Sequence, residues 1–183
     1  GLIVPIGTWV LNEVCRQAAE WSKMAGRRNH FSLSINVSAH QFMEPEFIPT
    51  LQRTLKETGA KAENINLELT ETALIESTER VAQVLKEARE INVKTSLDDF
   101  GKGYCSLNYL NQLPFDTLKI DQSFIHHIDR LPRNRAIVGS TIDLAHRLGM
   151  NVVAEGIETE AEVNTLREMS CEYGQGLFYN APM

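Results

Sequence analysis

Short apolar–polar alternations, separated by longer stretches with helical spacing, run the length of the chain. In residues 31–37, Leu33, Ile35 and Val37 fall on one face of an extended segment and Ser34, Asn36 and Ser38 on the other, because successive strand side chains point to opposite sides. Residues 65–70 repeat this, with Leu67 and Leu69 opposing Asn66, Glu68 and Thr70. So do residues 117–120, where Leu118 and Ile120 oppose Lys119 and the Asp121 that follows. Further extended runs lie at 93–98 and 151–154, with a weaker one at 173–178. Between them the spacing predicts helices over 6–24, 45–58, 77–91, 106–112, 133–148 and 160–169. In the first of these, Val10, Val14, Ala18 and Trp21 share a face. Gly26, Gly59, Pro114 and Gly149 punctuate the joints. His40 and Gln41 read as the opening of one more helix, as residues of its cap.

Strand and helix alternating throughout imply parallel strands joined by right-handed crossovers. The central strands of an open parallel sheet are covered on both faces and read as continuous apolar runs. Here one face is polar, which suits strands lining the inside of a barrel. The expected fold class is therefore α/β, a (β/α) TIM-type barrel. Six parallel strands are legible where a closed barrel has eight. The expectation is one partial domain over residues 1–183, with the first strands and a C-terminal closing helix missing.

Composition narrows the class further. Of the 183 residues, 43% are hydrophobic and 23% charged, the profile of a globular protein. Lys and Arg number 18 against 24 Asp and Glu, a net charge of −6. That balance excludes a surface that coats polymeric nucleic acid, and any anionic ligand needs a metal or a local cation. No stretch approaches a membrane span and nothing reads as a signal peptide, so no membrane contact is expected. Cys15, Cys105 and Cys171 fit neither a disulfide framework nor a zinc pattern, and a reducing, cytoplasmic setting is expected.

In parallel barrels the reactive groups stand at the carboxyl ends of the strands. Those ends carry Asn36, Glu68, Asp98 with Asp99, Lys119 with Asp121, Glu155 with Glu158, and Gln175. So many carboxylates at one mouth cannot all stay ionised without counter-charge. Hard divalent cations supply it, and carboxylate and amide oxygens are the donors that Mg²⁺, Mn²⁺ or Ca²⁺ prefer. Taken singly, each has a bland reading: a solvated strand edge for a Glu, a turn for Asp98-Asp99-Phe100-Gly101, an ion-pair partner for Lys119. Recurrence at the same strand position argues against that reading for the set.

The motifs Asn36-Val37-Ser38, Glu68-Leu69-Thr70-Glu71, Asp98-Asp99-Phe100-Gly101, Leu118-Lys119-Ile120-Asp121, Val153-Ala154-Glu155-Gly156-Ile157-Glu158 and Gln175-Gly176 resemble, in order and spacing, the EAL domain of bacterial cyclic-di-GMP phosphodiesterases and related receptors. The resemblance implies that Asn36, Glu68, Asp98 and Asp99 are metal ligands and that Lys119, Glu155 and Gln175 are catalytic. It implies that Asp121 and Glu158 belong to the substrate or second-metal site, and that Glu71 anchors the loop after Asp98-Asp99. The implied reaction is hydrolysis of cyclic-di-GMP to linear pGpG with two Mg²⁺ or Mn²⁺ ions, Ca²⁺ inhibiting. A homodimer, formed partly through the helix after that loop, and fusion to sensory or cyclase domains are implied too.

Two departures from the family pattern stand out. The Glu-Ala-Leu stretch that names the family, whose Glu is a metal ligand, is absent, and the pattern puts it upstream of Gly1; the chain alone is thus expected to be inactive. Lys102 and Cys105 stand where the family usually has Thr or a small residue, and Ser. These departures favour an alternative, a catalytically inactive cyclic-di-GMP receptor. Outside the family, the same acids and lysine suit a metal-dependent barrel enzyme acting on carboxylate substrates, with Lys119 as base.

Overall fold

The alternation is realised as strands with one greasy and one polar face. The computed structural model describes residues 1–24, 31–75, 78–103 and 107–181. In chain order its elements are α1 (Ile3–Met24), β1 (Leu33–Asn36), α2 (Ala39–Met43), α3 (Phe47–Thr58), β2 (Ile65–Thr70), α4 (Thr78–Glu90), β3 (Lys94–Phe100), α5 (Leu107–Gln112), β4 (Thr117–Ile120), α6 (Gln122–Ile125), α7 (Pro132–Arg147), β5 (Asn151–Ala154), α8 (Glu160–Glu168) and β6 (Tyr173–Gly174). Single 3-10 turns at Ala62–Asn64 and Glu71–Ile75 flank β2. The six strands form one sheet in the order β1-β2-β3-β4-β5-β6, every neighbouring pair parallel. This is an incomplete (β/α) barrel: six of the eight strands that closure requires, with β1 and β6 as edges.

Leu67, Leu69, Leu97, Leu118 and Val152 point outward and are buried beneath the helices, each contributing roughly 2 kcal/mol by removal from water. The inward face carries Asn66, Glu68, Ser96 and Lys119 instead. Strand-to-helix turns are locally encoded. Ser38 caps α2 and exchanges hydrogen bonds with Gln41, and Thr159 does the same with Glu162 at α8. Gly59, in the left-handed region, ends α3.

Two expectations need correction. The packed face of α1 is centred on Leu11, Cys15, Ala18 and Ala19, about one residue round from the predicted stripe. Val10 and Val14 flank it half-buried, while Trp21 remains 43% exposed, edge-on to Phe31. The sixth strand stops after Gly174 rather than continuing to 178. The amides of Phe178 and Tyr179 turn back to the carbonyls of Ile157 and Gly176, which draws the chain over the end of β5. Cys15 and Cys171 are free thiols, whereas Gly26 and Cys105 lie outside the described residues.

Candidate active site

Register sets the site. Asn36 on β1 stands beside Glu68 on β2, and Thr70 beside Asp98 on β3. Between β3 and β4 the register slips: Leu97 pairs with Leu118 but Phe100 with Ile120. Asp98 and Asp99 together therefore face the single residue Lys119, a β-bulge. Asp99 also adopts φ 56°, in the left-handed region. Consecutive strand residues normally point apart; here the bulge sends both carboxylates towards the mouth.

Lys119, buried with 5% of its surface exposed, is the hub. Its Nζ lies 2.9 Å from Glu68 Oε2, 3.0 Å from Asp98 Oδ1 and 2.7 Å from Glu155 Oε1. Burial works against its charge, yet the hydrogen bonds to Glu155 and Glu68 outweigh it and hold its pKa above the usual range. Burial pushes the Glu155 carboxyl upward, opposed by Lys119 and reinforced by the charges of Asp98 and Glu68. A second cation sits nearby: Lys102 Nζ is 2.7 Å from both Asp99 Oδ1 and Asp121 Oδ2. Asp121, almost wholly buried, also accepts the Ser123 amide on Oδ1. For Asp121, burial pulls upward, but Lys102 and Ser123 win and depress its pKa.

Glu71 Oε2 accepts the amides of Gly101 (3.3 Å) and Gly103 (2.9 Å), fastening the loop that carries Lys102. Gln175 is exposed at the end of β6, its backbone bonded to Ala154 and Ile157. Glu158 is exposed on the rim of a cleft of ≈ 840 Å³ that Asp99, Asp121, Glu155 and Gln175 also line. Asn36 is exposed at the end of β1. The structure thus gathers Glu68, Asp98, Asp99, Lys119, Asp121 and Glu155 closely, and leaves Asn36, Glu158 and Gln175 around them.

The sequence reading missed two supports. Beneath the acids a polar relay runs from Ser96 to Asn66 and on to Ser34 and Glu68. Glu162, 1% exposed, accepts the amides of His127, Glu158 and Thr159 and so holds the loop that follows Glu155. The Thr159-x-x-Glu162 capping box was a legible signal for it.

Asp99, Asp121 and Glu155 each offer an oxygen within 4.8 Å of the others. An all-oxygen set of this charge fits a hard divalent ion and would not select zinc. A parallel (β/α) barrel whose strand ends converge carboxylates around lysines is the acidic, cation-seeking class of barrel protein. The chain belongs to the EAL domain family, whose pattern matches residues 1–182. It is 36% identical over 183 residues to the signaling protein YkoW of Bacillus subtilis and 34% identical over 183 residues to the cyclic di-GMP phosphodiesterase PdeR of Escherichia coli. All of the chain is matched in each case, but only 22% and 27% of those proteins. MucR of Pseudomonas aeruginosa, a bifunctional diguanylate cyclase/cyclic di-GMP phosphodiesterase, has been solved as a c-di-GMP complex. That structure superimposes with a TM-score of 0.91 at 36% identity, covering the whole chain and 73% of the solved one. Among the described residues no helix is long and apolar enough to cross a membrane.

Proposed function

We propose that this domain, within its parent protein, hydrolyses cyclic-di-GMP to linear pGpG with two Mg²⁺ or Mn²⁺ ions, Ca²⁺ being inhibitory. The observation that carries the reading is Lys119 bonded to three carboxylates beside the Asp99–Asp121–Glu155 cluster. Asn36, Glu68 and Asp98 would hold one ion, and Asp99 with Asp121 the other. When bound, two such ions neutralise a phosphodiester and lower the pKa of the attacking water. Glu155, its carboxyl pushed up by burial against the pull of Lys119, would take the proton from that water. The fixed Lys119 ammonium stabilises negative charge growing on the phosphoryl oxygens without reorganising. Gln175 offers an amide to the same region, Glu158 lies where substrate enters, and Glu71 holds the loop. The cleft of ≈ 840 Å³ accommodates a dinucleotide.

The description of MucR as cyclase and phosphodiesterase in one protein supports a parent with sensory or cyclase segments. Action in the cytoplasm and a homodimer through α5 complete the proposal. The pairing of Lys102 with Asp99 and Asp121 favours a second reading, a receptor that binds cyclic-di-GMP without cleaving it. Calorimetric titration of cyclic-di-GMP into the full-length protein with Ca²⁺, followed by Mg²⁺ with product analysis, separates them. Binding with conversion to pGpG is the expected result. Binding without conversion makes the protein a receptor, and absence of binding refutes both.

A further inference from the structure

Lys102 shares one ammonium equally between two carboxylates, Asp99 on β3 and Asp121 at the cap of α6 just after β4. Its side chain is 49% exposed, yet its Nζ lies 2.7 Å from Asp99 Oδ1 and 2.7 Å from Asp121 Oδ2. These are two of the three carboxylates whose oxygens converge within 4.8 Å. The aim is built into the loop. The amides on either side of Lys102, those of Gly101 and Gly103, are tied to Glu71 Oε2, and the Lys102 amide bonds the Asp99 carbonyl at 3.2 Å. The Lys102 backbone is therefore fixed while its four-carbon stem stays free to swing into solvent.

The contrast with Lys119 is instructive. Lys119 is buried, with nowhere to go, and its closest approach is to one oxygen of each carboxylate, Glu68 Oε2 and Asp98 Oδ1, while Glu68 Oε1 accepts the Asn66 side-chain amide. Asp121 instead has both oxygens engaged, Oδ1 by the Ser123 amide and Oδ2 by the Lys102 ammonium. An incoming divalent ion meets a like charge on the oxygen it needs.

Building on the two-metal reading, we propose that Lys102 is a tethered counter-ion of the second cation position. It neutralises Asp99 and Asp121 in the metal-free protein and must withdraw before an ion binds there. The two positions consequently fill in order, the one at Glu68 and Asp98 first. Metal occupancy, rather than the chemistry of the bound site, is what Lys102 sets.

Mn²⁺ titrated into the metal-free full-length protein, followed by calorimetry and electron paramagnetic resonance, tests this with wild type, Lys102→Met and Lys102→Arg. Wild type is expected to bind one ion and then a weaker second. In Lys102→Met the second affinity rises on the order of tenfold, the scale of two partly exposed ion pairs, with the first unchanged. The spectrum of a spin-coupled Mn²⁺ pair then develops at correspondingly lower Mn²⁺, while Lys102→Arg keeps the weak second step. Unchanged or weakened second-site affinity in Lys102→Met overturns the inference. If those proteins still bind two ions and cleave cyclic-di-GMP, the functional reading stands and only the role of Lys102 falls. If neither protein binds Mn²⁺ at all, both fall.

Discussion

Glu162 is a buried carboxylate with no basic side chain bonded to it among the described residues, so its charge is balanced by backbone amides and the Thr159 hydroxyl. Oε1 accepts the His127 amide at 2.8 Å, and Oε2 accepts those of Glu158 at 2.9 Å and Thr159 at 3.0 Å. Burial pushes its pKa up, but these bonds pull harder and leave it below the ordinary 4.5. Glu162→Gln keeps the shape and turns an –NH₂ towards at least one of those donors. Losing one or two charge-assisted bonds, each worth about 1.5–3 kcal/mol, predicts a destabilisation of about 3 kcal/mol at pH 7. With a urea slope of about 2 kcal/mol/M, the midpoint falls by about 1.5 M. The pH dependence has a definite sign. A depressed carboxyl pKa stabilises the fold above its unfolded value, and that stabilisation drains away as pH falls through the folded value. The gap between wild type and variant is therefore full at pH 7 and closes progressively below about pH 4.5, as the wild-type side chain becomes neutral too. Urea melts of both proteins at pH 7 and pH 3 measure it. A difference below about 0.5 kcal/mol at pH 7, or one that does not change on acidification, refutes the reasoning.

Lys119→Met leaves Glu68, Asp98 and Glu155 facing one another without a counter-charge, at a cost of about 3–5 kcal/mol in chelator. Thermal melts with and without Mn²⁺ should show the ion restoring part of that loss, while cleavage of cyclic-di-GMP does not recover. Glu71→Gln weakens the grip on the Gly101 and Gly103 amides, and their hydrogen exchange in the metal-free protein should quicken by about tenfold or more. Gly156 has φ 70°, and a Cβ there would stand 2.3 Å from that of Gln122, so Gly156→Ala should cost about 2 kcal/mol in a urea melt.

Periodicity made most of the scaffold legible because its strands are two-faced: β2, β4 and β5 begin and end where the alternation predicts. It erred where tertiary geometry intervenes. Both Val10 and Leu11 are apolar, so the sequence of α1 cannot say which stripe meets α3; packing decides. The end of β6 is set by hydrogen bonds from Phe178 and Tyr179 to other backbone groups, not by its own composition. At the site, strand-end position was enough to pick out Glu68, Lys119 and Glu155. The bulge was not legible, since strict alternation would have sent Asp98 and Asp99 to opposite faces. Lys102 was visible as an odd cation, but its partners depend on where Glu71 pins the loop.

The charge at the mouth constrains every reading of this site. Glu68, Asp98, Asp99, Asp121 and Glu155 are five carboxylates held by two ammonium groups, Lys102 and Lys119. The formal deficit is three positive charges. Cyclic-di-GMP carries two phosphodiester charges of its own, so the metal-free mouth repels it, and the more so as burial lowers the local dielectric. One divalent ion leaves the site still negative; a second, with Lys102 withdrawn, brings it to neutrality. Affinity for the dinucleotide should therefore be full only when the second position is occupied as well as the first. That is the step at which Lys102 stands. A receptor that needs no metal would have to hold a dianion against this field, so tight binding of cyclic-di-GMP in chelator would contradict the charge argument at its root.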